Sequence, residues 1–264
     1  MSNHFETNRT YWNHLANLHV DSEFYDNKTF LEGRNPLNEI ELAILGDDLS
    51  GQRALHLQCH FGQDTIALAR MGAQATGVDL SDTAIEKARD LAKQTGATAD
   101  FVCCNVLDID QHLEGQYDLI FSSYGTIGWL PTIDRWGQLI HQFLKPGGRF
   151  VIAEFHPVVW TFDEQFTYLQ YSYFNRETIV EEVTGSYGAP DDDKQQTCYS
   201  WNHPLSDVLT ALLDAGLQLK QFREYDYSPY DCFPKTTKSE KGYQIKGMEG
   251  TLPLVYALEA VKPM

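Results

Sequence analysis

The residues best suited to chemistry lie in two short segments, each at the end of an apolar stretch typical of a buried strand. Gln58–Gly62 follows residues 54–57, and a helical pattern begins directly after it. Asp79 ends a second apolar stretch, residues 75–79. A strand, a tight turn that opens a helix, and an acid at the end of the next strand form the front half of a nucleotide-binding α/β sheet. The pattern therefore predicts a nucleoside site at the edge of such a sheet.

The turn lacks the glycines that a dinucleotide site requires. In G-x-G-x-x-G the first two glycines let the backbone approach a pyrophosphate. Here Gln58 and His60 stand where glycines are expected, and only Gly62 remains. The turn therefore favours a nucleoside ligand without phosphates, and S-adenosylmethionine is the commonest cofactor of that description.

Alternating strand and helix patterns surround these residues and must position them. Strand patterns at 54–58, 75–79, 100–104, 118–122 and 149–155 alternate with helical patterns at 63–71, 81–96 and 132–144. Such alternation predicts a parallel sheet that is covered by helices on both faces. An aromatic-rich insertion, residues 156–203, interrupts it with antiparallel strand patterns at 166–173 and 178–183. A helix at 204–215 and strands at 217–225 and 252–261 complete the pattern.

Composition limits the partners and the compartment. The 264 residues include 20 basic and 37 acidic side chains, for a formal net charge of -17, which disfavours nucleic acid and anionic membranes. No apolar run approaches the ~20 residues of a membrane span. The first residues, Met1–Glu6, are neither basic nor apolar, and the five cysteines show no framework spacing. We expect a cytoplasmic protein with reduced thiols.

Four features occur in the order found in class I S-adenosylmethionine-dependent methyltransferases, which the chain resembles over residues 50–262. They are the turn at 57–62, Gly77–Asp79, Phe101–Val106, and the strand 117–123 with the later Pro-Gly-Gly turn at 146–148. The resemblance implies a Rossmann-like, doubly wound α/β sheet of seven strands in the order 3-2-1-4-5-7-6, the last strand antiparallel. Residues 1–50 have a polar, helical pattern and are expected to form a helical segment covering the site, and residues 51–264 are expected to form the methyltransferase domain.

Cofactor-binding residues follow from their positions in this pattern. Asp79 can accept both ribose hydroxyls in charge-assisted hydrogen bonds. By resemblance, Asn105 pairs with the adenine amino group, and the backbone carbonyls of Gln58 and Ser122 receive the cofactor's ammonium. The helix that starts after Gly62 favours the methionine carboxylate at its N-terminus. Cys59, His60, Leu80 and Val106 complete the expected set.

Two residues are candidates for the chemical step. Tyr124 follows strand four, where the reactive methyl group would face, and can orient the nucleophile or contact the sulfonium as a cation–π partner. His156 ends strand five at the same edge and is the candidate general base. A packed aromatic and a structural histidine before Pro157 are the alternatives that stay open.

The sequence thus predicts methyl transfer by in-line displacement to a small, partly apolar acceptor, with the insertion 156–203 as a substrate lid. One alternative is a non-catalytic module that binds S-adenosylmethionine; a second is a nicotinamide-dependent dehydrogenase, against which the missing glycines count. The spacing of His56, Cys59 and His60 suggests a metal, but three such side chains would have to converge, and we expect none to be bound. Oligomeric state is open.

Overall fold

The computed structural model describes residues 3–264, apart from the side chain of Asn3. Its helices are α1 (Asn3–His19), α2 (Asn27–Leu31), α3 (Glu39–Leu45), α4 (Gln63–Arg70), α5 (Asp82–Thr95), α6 (Asp134–Phe143) and α7 (Leu205–Asp214). Its strands are β1 (Arg53–Leu57), β2 (Gln74–Asp79), β3 (Ala99–Cys103), β4 (Tyr117–Ser122), β5 (Leu144–Phe155), β6 (Ile179–Val183), β7 (Gln196–Ser200), β8 (Gln218–Tyr225), β9 (Thr236–Lys238), β10 (Tyr243–Ile245) and β11 (Val255–Val261). Short 3₁₀ helices span Val106–Gln111, Ile127–Trp129 and Val159–Thr161.

Seven of these strands form one sheet in the order β3-β2-β1-β4-β5-β11-β8. β1 pairs in parallel with β2 and β4, whereas β11 runs antiparallel to both β5 and β8. Since β8 and β11 are the sixth and seventh strands of this sheet along the chain, the predicted order 3-2-1-4-5-7-6 with an antiparallel last strand is confirmed. The carboxyl ends of β1 and β4 meet where the strand order reverses, which is where ligands bind in open α/β sheets.

The central strands are apolar because both faces of the sheet are covered. Leu119 and Phe121 of β4 belong to the core under α3 and α4, with Leu68 of α4 packed against them. Ile120 faces the opposite core, which contains Trp136 of α6. All five side chains are buried. Burial on two sides replaces the polar alternation of a half-exposed strand with a continuous apolar run.

The aromatic insertion differs from its sequence pattern. Residues 166–173, predicted as a strand, are irregular because local bonds satisfy their backbone: the Asp163 carboxylate accepts from the N–H groups of Thr167 and Tyr168. The predicted strand at 178–183 is present as β6, and it pairs with β7, which the sequence pattern did not indicate. The hairpin β9–β10 was likewise not predicted.

The N-terminal helix packs across the main domain and the insertion. The side-chain amide of Asn8 donates to the Tyr199 carbonyl at 2.8 Å and accepts from the Tyr199 N–H at 2.9 Å, which extends the edge of β7. Asn13 donates to Asp82 at 2.7 Å and accepts from the Ser81 hydroxyl at 2.6 Å, at the start of α5. None of the helices between residues 3 and 264 combines the length and apolar character that crossing a bilayer requires.

Candidate active site

The turn after β1 keeps the backbone path of a glycine-rich loop although two of its residues are not glycine. The φ angle is 54° at Gln58, 49° at His60 and 85° at Gly62. Each non-glycine residue in this left-handed region costs on the order of 1–2 kcal/mol. Strain of this kind is concentrated at functional sites, where the surroundings enforce it. The turn therefore carries two polar side chains along a path that usually has none.

Gly62 and Gly77 allow this turn to lie close to its neighbours. A Cβ on Gly62 would be 2.7 Å from Cε1 of Phe101 and 2.9 Å from Cβ of Ala88. A Cβ on Gly77 would be 2.8 Å from Sγ of Cys59. The close packing holds the N-terminus of α4 beside the end of β2.

Asp79 ends β2 and holds the turn through its carboxylate. Oδ2 accepts from the backbone N–H of His60 at 2.8 Å, and Oδ1 accepts from that of Ser81 at 2.9 Å. Burial raises the pKa of Asp79 to about 6, against the opposing effect of the N–H groups of Ser81, His60 and Leu80. The side chain is half-buried, and both oxygens keep acceptor positions. It can therefore still bind hydroxyl donors from a ligand.

Gln58 carries a buried acceptor that no group in the described structure satisfies. Its Nε2 donates to the Thr126 carbonyl at 2.8 Å, but Oε1 is enclosed without a hydrogen-bond partner. An unpaired buried acceptor costs roughly 1–3 kcal/mol. Ser122, fully buried at the end of β4, shares a hydroxyl–hydroxyl hydrogen bond of 3.0 Å with Thr126. A ligand that donates hydrogen bonds here would remove the cost of the orphaned oxygen.

Asn105, the expected adenine partner, follows β3 at the same edge of the sheet. Its Oδ1 accepts from the Leu107 N–H at 3.0 Å and caps the 3₁₀ helix that starts at Val106. The Cys104 N–H donates to the Asp79 carbonyl at 2.9 Å, so this segment lies directly beside the end of β2. The side-chain oxygen of Asn105 is therefore engaged, which leaves its Nδ2 group as the donor toward a base.

Glu154 fixes the loop that follows β4. Its side chain is 2% exposed, and the backbone N–H groups of Gly125, Thr126 and Ile127 all donate to its carboxylate. The Thr126 hydroxyl adds a bond of 2.9 Å. Burial raises the pKa of Glu154, and the hydrogen bonds from the backbone N–H groups oppose that shift. Glu154 thus positions the loop against which Gln58 and Ser122 pack.

His156 lies at the end of β5, but both of its ring nitrogens are engaged. Nε2 shares a 3.0 Å hydrogen bond with Glu224, and Nδ1 accepts from the Val158 N–H at 3.1 Å. Burial lowers its pKa, and Glu224 opposes this. The role of general base stays a prediction for His156, and these contacts are those of a structural histidine.

Tyr124 belongs to a polar cluster that links three distant segments. Its hydroxyl donates to Oε2 of Glu41 at 2.7 Å, and Oε1 of Glu41 accepts from the Asn38 N–H at 2.8 Å. The Asn38 amide also donates to the Tyr230 hydroxyl at 2.8 Å. Burial raises the pKa of Glu41 to about 7. Glu41 and Tyr230 were missed by sequence reasoning because nothing in their local pattern marks them.

An aromatic wall continues this cluster back to the cofactor turn. The ring centroids of Tyr124 and Tyr230 are 5.1 Å apart, and those of Tyr25 and His60 are 5.5 Å apart. Tyr187 and Tyr25 share a hydroxyl–hydroxyl bond of 2.8 Å. Tyr187 is 41% exposed, and burial raises the pKa of its hydroxyl to about 12. These rings therefore form an aromatic wall beside the turn.

The N-terminal helix and the insertion both contact the turn through His19. Its Nδ1 shares a hydrogen bond of 3.1 Å with His60, and its Nε2 shares one of 2.8 Å with Ser186. The Trp12 ring lies 5.5 Å from the His60 ring and 5.1 Å from that of Trp129. Burial lowers the pKa of His19 to about 4. The N-terminal helix, the insertion and the turn after β1 are therefore joined through the neutral imidazole of His19.

The three residues considered for a metal point to different partners. His56 contacts the hydroxyls of Thr65 and Ser123, whereas His60 contacts His19. Cys59 is buried, and its thiol donates to the His60 carbonyl at 3.6 Å. In residues 3–264 no group of three or more potential ligands is placed to hold a metal ion.

Two cavities lie away from this edge of the sheet. One of about 510 Å³ runs along β3, and one of about 300 Å³ lies between the segment 131–134 and α7. Neither is lined by Asp79, Gln58 or Tyr124. The chemistry-bearing residues thus converge at the carboxyl ends of β1, β2 and β4 and not at these cavities.

The strand order, the turn after β1 and the acid that ends β2 define the class I S-adenosylmethionine-dependent methyltransferase fold. Residues 54–148 match the family described as a methyltransferase domain. This part of the chain is therefore similar to a methyltransferase domain, and the resemblance seen in the sequence is confirmed.

Known proteins similar to this chain agree with that classification. An uncharacterised methyltransferase from Synechocystis sp. is 33% identical over 42% of this chain and 51% of its own length. A magnesium-protoporphyrin O-methyltransferase from Rhodobacter capsulatus is 34% identical over 41% of this chain and 48% of its own. The chain spans about half the length of these relatives. The structure of an S-adenosylmethionine dependent methyltransferase from Mesorhizobium loti superposes with a TM-score of 0.56 and 17% sequence identity. The superposition covers 88% of this chain and 100% of the other chain, which shows that the two share a fold.

Proposed function

We propose that this protein is an enzyme that transfers the methyl group of S-adenosylmethionine to a small-molecule acceptor. The observation that carries the proposal is the pair formed by Asp79 and the orphaned Oε1 of Gln58 at adjacent strand ends. One is a carboxylate with acceptor positions left for hydroxyls, and the other is a buried acceptor that needs a donor. A nucleoside that carries an ammonium group meets both requirements without a phosphate.

Each part of the cofactor is assigned to residues at this edge of the sheet. Asp79 takes the ribose hydroxyls, and Asn105 and Val106 take the adenine, with Leu80 beside the sugar. The backbone carbonyls of Gln58 and Ser122 receive the ammonium, to which Oε1 of Gln58 is added as a third acceptor, while Cys59, His60 and Gly62 supply the backbone of the turn. The N-terminus of α4, eight residues long, favours the carboxylate of the methionine part. When bound, the cofactor supplies an electrophilic methyl carbon for in-line displacement.

The acceptor enters from the side of Tyr124. Aromatic side chains from the N-terminal segment, the insertion and the segment that follows β8 contact one another there, which suits a small, partly apolar molecule. We assign to residues 156–203 the role of a substrate lid, and to residues 1–50 that of a cover over the turn. Their meeting point is His19, which contacts both His60 and Ser186. Covering the turn excludes water from the reacting groups.

Calorimetry with two ligands tests the assignment of Gln58. Gln58→Met removes the orphaned oxygen, and we expect it to weaken S-adenosylmethionine binding by about 1.5–3 kcal/mol, or 10- to 150-fold. Binding of 5′-methylthioadenosine, which has no ammonium, should not change. Gln58→Glu is the matched control, since it keeps an acceptor oxygen but loses the bond to Thr126. Equal weakening of both ligands by Gln58→Met would count against the proposal.

Turnover separates the enzyme from a non-catalytic binding module. The protein is incubated with methyl-labelled S-adenosylmethionine and a metabolite extract, and labelled products are identified by mass spectrometry. We expect S-adenosylhomocysteine to form together with a labelled product. Binding of S-adenosylmethionine without any transfer would favour a module that only binds it. Stabilisation by NAD and not by S-adenosylmethionine would favour the dehydrogenase alternative.

A further inference from the structure

Glu41 is a buried carboxylate that has no cation beside it. It is 1% exposed, and none of the ion pairs found in residues 3–264 includes it. A buried charge usually has a partner of opposite charge, because its removal from water is costly. Hydrogen bonds alone hold Glu41: the Asn38 backbone N–H donates at 2.8 Å, the Asn38 amide at 3.1 Å and the Tyr124 hydroxyl at 2.7 Å.

The contacts with Asn38 belong to a capping box at the start of α3. Asn38 is the N-cap residue, and Glu41 is the third residue of the helix. The box needs only one carboxylate oxygen, here Oε1, which accepts from the Asn38 backbone N–H. A structural role therefore accounts for Oε1 and leaves the bond between Oε2 and Tyr124 to be explained.

The direction of each hydrogen bond in this cluster is fixed by the groups that form it. An ionised carboxylate only accepts, so the Tyr124 hydroxyl donates to Glu41. Nδ2 of Asn38 only donates, so the Tyr230 hydroxyl is the acceptor of that bond, at 2.8 Å. The Tyr124 oxygen keeps a free acceptor position, and the Tyr230 proton has no acceptor among residues 3–264. The pair of hydroxyls therefore offers a ligand one acceptor and one donor.

Both hydroxyls belong to the aromatic wall that leads to the cofactor turn. Tyr124 follows the end of β4 by two residues, and its ring centroid lies 5.1 Å from that of Tyr230. The Tyr230 ring is 5.6 Å from Phe24, and Phe24 is 5.2 Å from Tyr25. The Tyr25 ring in turn is 5.5 Å from that of His60 in the turn. Tyr124 and Tyr230 are both half-buried, so a ligand beside the turn can reach them.

We propose that the hydroxyls of Tyr124 and Tyr230 bind the methyl acceptor, and that Glu41 is the positioning residue that draws the Tyr124 proton away from it. The acceptor group must then donate to Tyr124 and accept from Tyr230, as a neutral hydroxyl does. Its oxygen has two lone pairs, so one accepts from Tyr230 while the other attacks the methyl carbon. A neutral amine has one lone pair and cannot do both. The proposal rests on the methyltransferase function proposed above and names its substrate class as a neutral alcohol or phenol.

The methyl transfer balances in atoms and charge. A lone pair of the acceptor oxygen forms the bond to the methyl carbon, while the carbon–sulfur bond breaks and leaves its electron pair on sulfur. The acceptor proton passes to the Tyr124 oxygen, and the Tyr124 proton passes to Oε2 of Glu41. One positive charge on sulfur and one negative charge on Glu41 are lost together. Burial raises the pKa of Glu41 to about 7, so its carboxyl group can hold this proton near neutral pH.

Glu41→Gln separates this role from the capping box. Glutamine serves equally at the third helical position of such a box, so the start of α3 is preserved. The two Asn38 donors require the new amide oxygen to face them, and the NH₂ group must then face Tyr124. The Tyr124 oxygen then accepts from this NH₂ group, and its own proton turns toward the ligand. The variant therefore offers two donors where the wild type offers one donor and one acceptor.

Two probes of similar size detect this change: phenol, which donates and accepts, and acetophenone, which only accepts. Each is titrated by NMR into the complex with S-adenosylhomocysteine, in protein labelled at tyrosine Cζ, at about pH 8.5, where the Glu41 carboxylate is ionised. The signals of Tyr124 and Tyr230 are those missing in Tyr124→Phe and Tyr230→Phe. Phenol should shift both signals and bind about 2- to 10-fold more tightly than acetophenone, as one neutral hydrogen bond allows. Glu41→Gln should reverse this preference.

Glu39→Gln and Tyr227→Phe are the matched controls. Glu39 is an exposed acid in the same first turn of α3, and Tyr227 precedes Tyr230 in the segment after β8. Both variants should keep the wild-type preference for phenol. A preference that Glu41→Gln leaves unchanged, or tyrosine signals that phenol does not shift, overturns the proposal.

The products of turnover test the substrate class. In the incubation with a metabolite extract, the labelled product should be a methyl ether, and a methyl ester or an N-methyl compound would overturn the proposal. Glu41→Gln should lower its rate of formation by about 100-fold or more while the affinity for S-adenosylmethionine stays the same, and Glu39→Gln should retain the rate. Absence of S-adenosylmethionine binding in the wild type would instead reject the proposed function.

Discussion

Substitution of Asp79 by Asn tests the cofactor site most directly. The carboxylate accepts one backbone N–H at each oxygen, from His60 at 2.8 Å and from Ser81 at 2.9 Å. In the variant, the new NH₂ group must face one of these two donors. The neutral amide also offers the ribose only one acceptor atom. Loss of hydrogen bonds to a charged group corresponds to about 1.5–3 kcal/mol, so we expect binding to weaken about 10- to 150-fold.

Calorimetry at pH 8 measures this loss with the wild-type carboxylate ionised, since burial raises the pKa of Asp79 to about 6. A second ligand pair isolates the sugar: 5′-methylthioadenosine and its 2′-deoxy form. The wild type should prefer the ribose form, and Asp79→Asn should lose most of that preference. Asp82→Asn, beside the same edge, should keep both affinity and preference. Unchanged affinity in Asp79→Asn, or the same preference for ribose, would refute the reasoning.

Three further predictions concern stability and use chemical unfolding. Gly62→Ala places a Cβ 2.7 Å from Phe101 at a φ of 85°, so we expect the free energy of unfolding to fall by about 3 kcal/mol or more. Gly96→Ala, at φ 68° in open space, should lower it by about 1 kcal/mol. Equal losses in the two variants would contradict the tight packing at Gly62. Glu154→Gln places an NH₂ group against the N–H donors of the loop after β4 and should lower the free energy of unfolding by about 1–3 kcal/mol. An unchanged unfolding midpoint would show that Glu154 does not hold this loop. The pKa of Glu41 is about 7 in the folded protein and ordinarily 4.5, so the folded state binds more protons than the unfolded state between these pH values, and stability should fall as the pH rises through that window. Glu41→Gln should reduce the slope of the unfolding free energy against pH by on the order of 1 kcal/mol per pH unit. An identical slope in the variant would contradict the raised pKa.

Much of the fold could be predicted because its signals are local. The Ser81 hydroxyl accepts from the Ala84 N–H at 3.0 Å and caps α5 as expected, and Gly96 ends that helix with φ 68°. The apolar centre of β4 is buried on both faces, as a continuous apolar run predicts. Most boundaries shifted by a residue or two, and the last strand begins at Val255 instead of residue 252. β5 starts at Leu144, so it includes the Pro-Gly-Gly turn that was expected to precede it. The insertion was least predictable, because its strands depend on partners that are not adjacent in sequence.

The candidate site was predictable only in part. The expected cofactor residues lie on four segments at the ends of adjacent strands, yet the sequence could not show that Oε1 of Gln58 is orphaned or that Asn105 caps a helix. His156 carried the pattern of a base, but contacts with Glu224 and Val158 occupy its ring.

The sequence by itself determined where the strands and helices of the main sheet lie and which turn faces the ligand, because periodicity, caps and turn residues act over a few neighbours. The order in which the strands pair was implied by the family resemblance. Tertiary structure decided which side chains work together. Tyr124 and Glu41 are 83 positions apart, and His19 and Ser186 are 167 apart. The pKa of a carboxyl such as Glu41 or Asp79 depends on burial, which arises only when distant segments close around it and remove the water that would otherwise stabilise its charge.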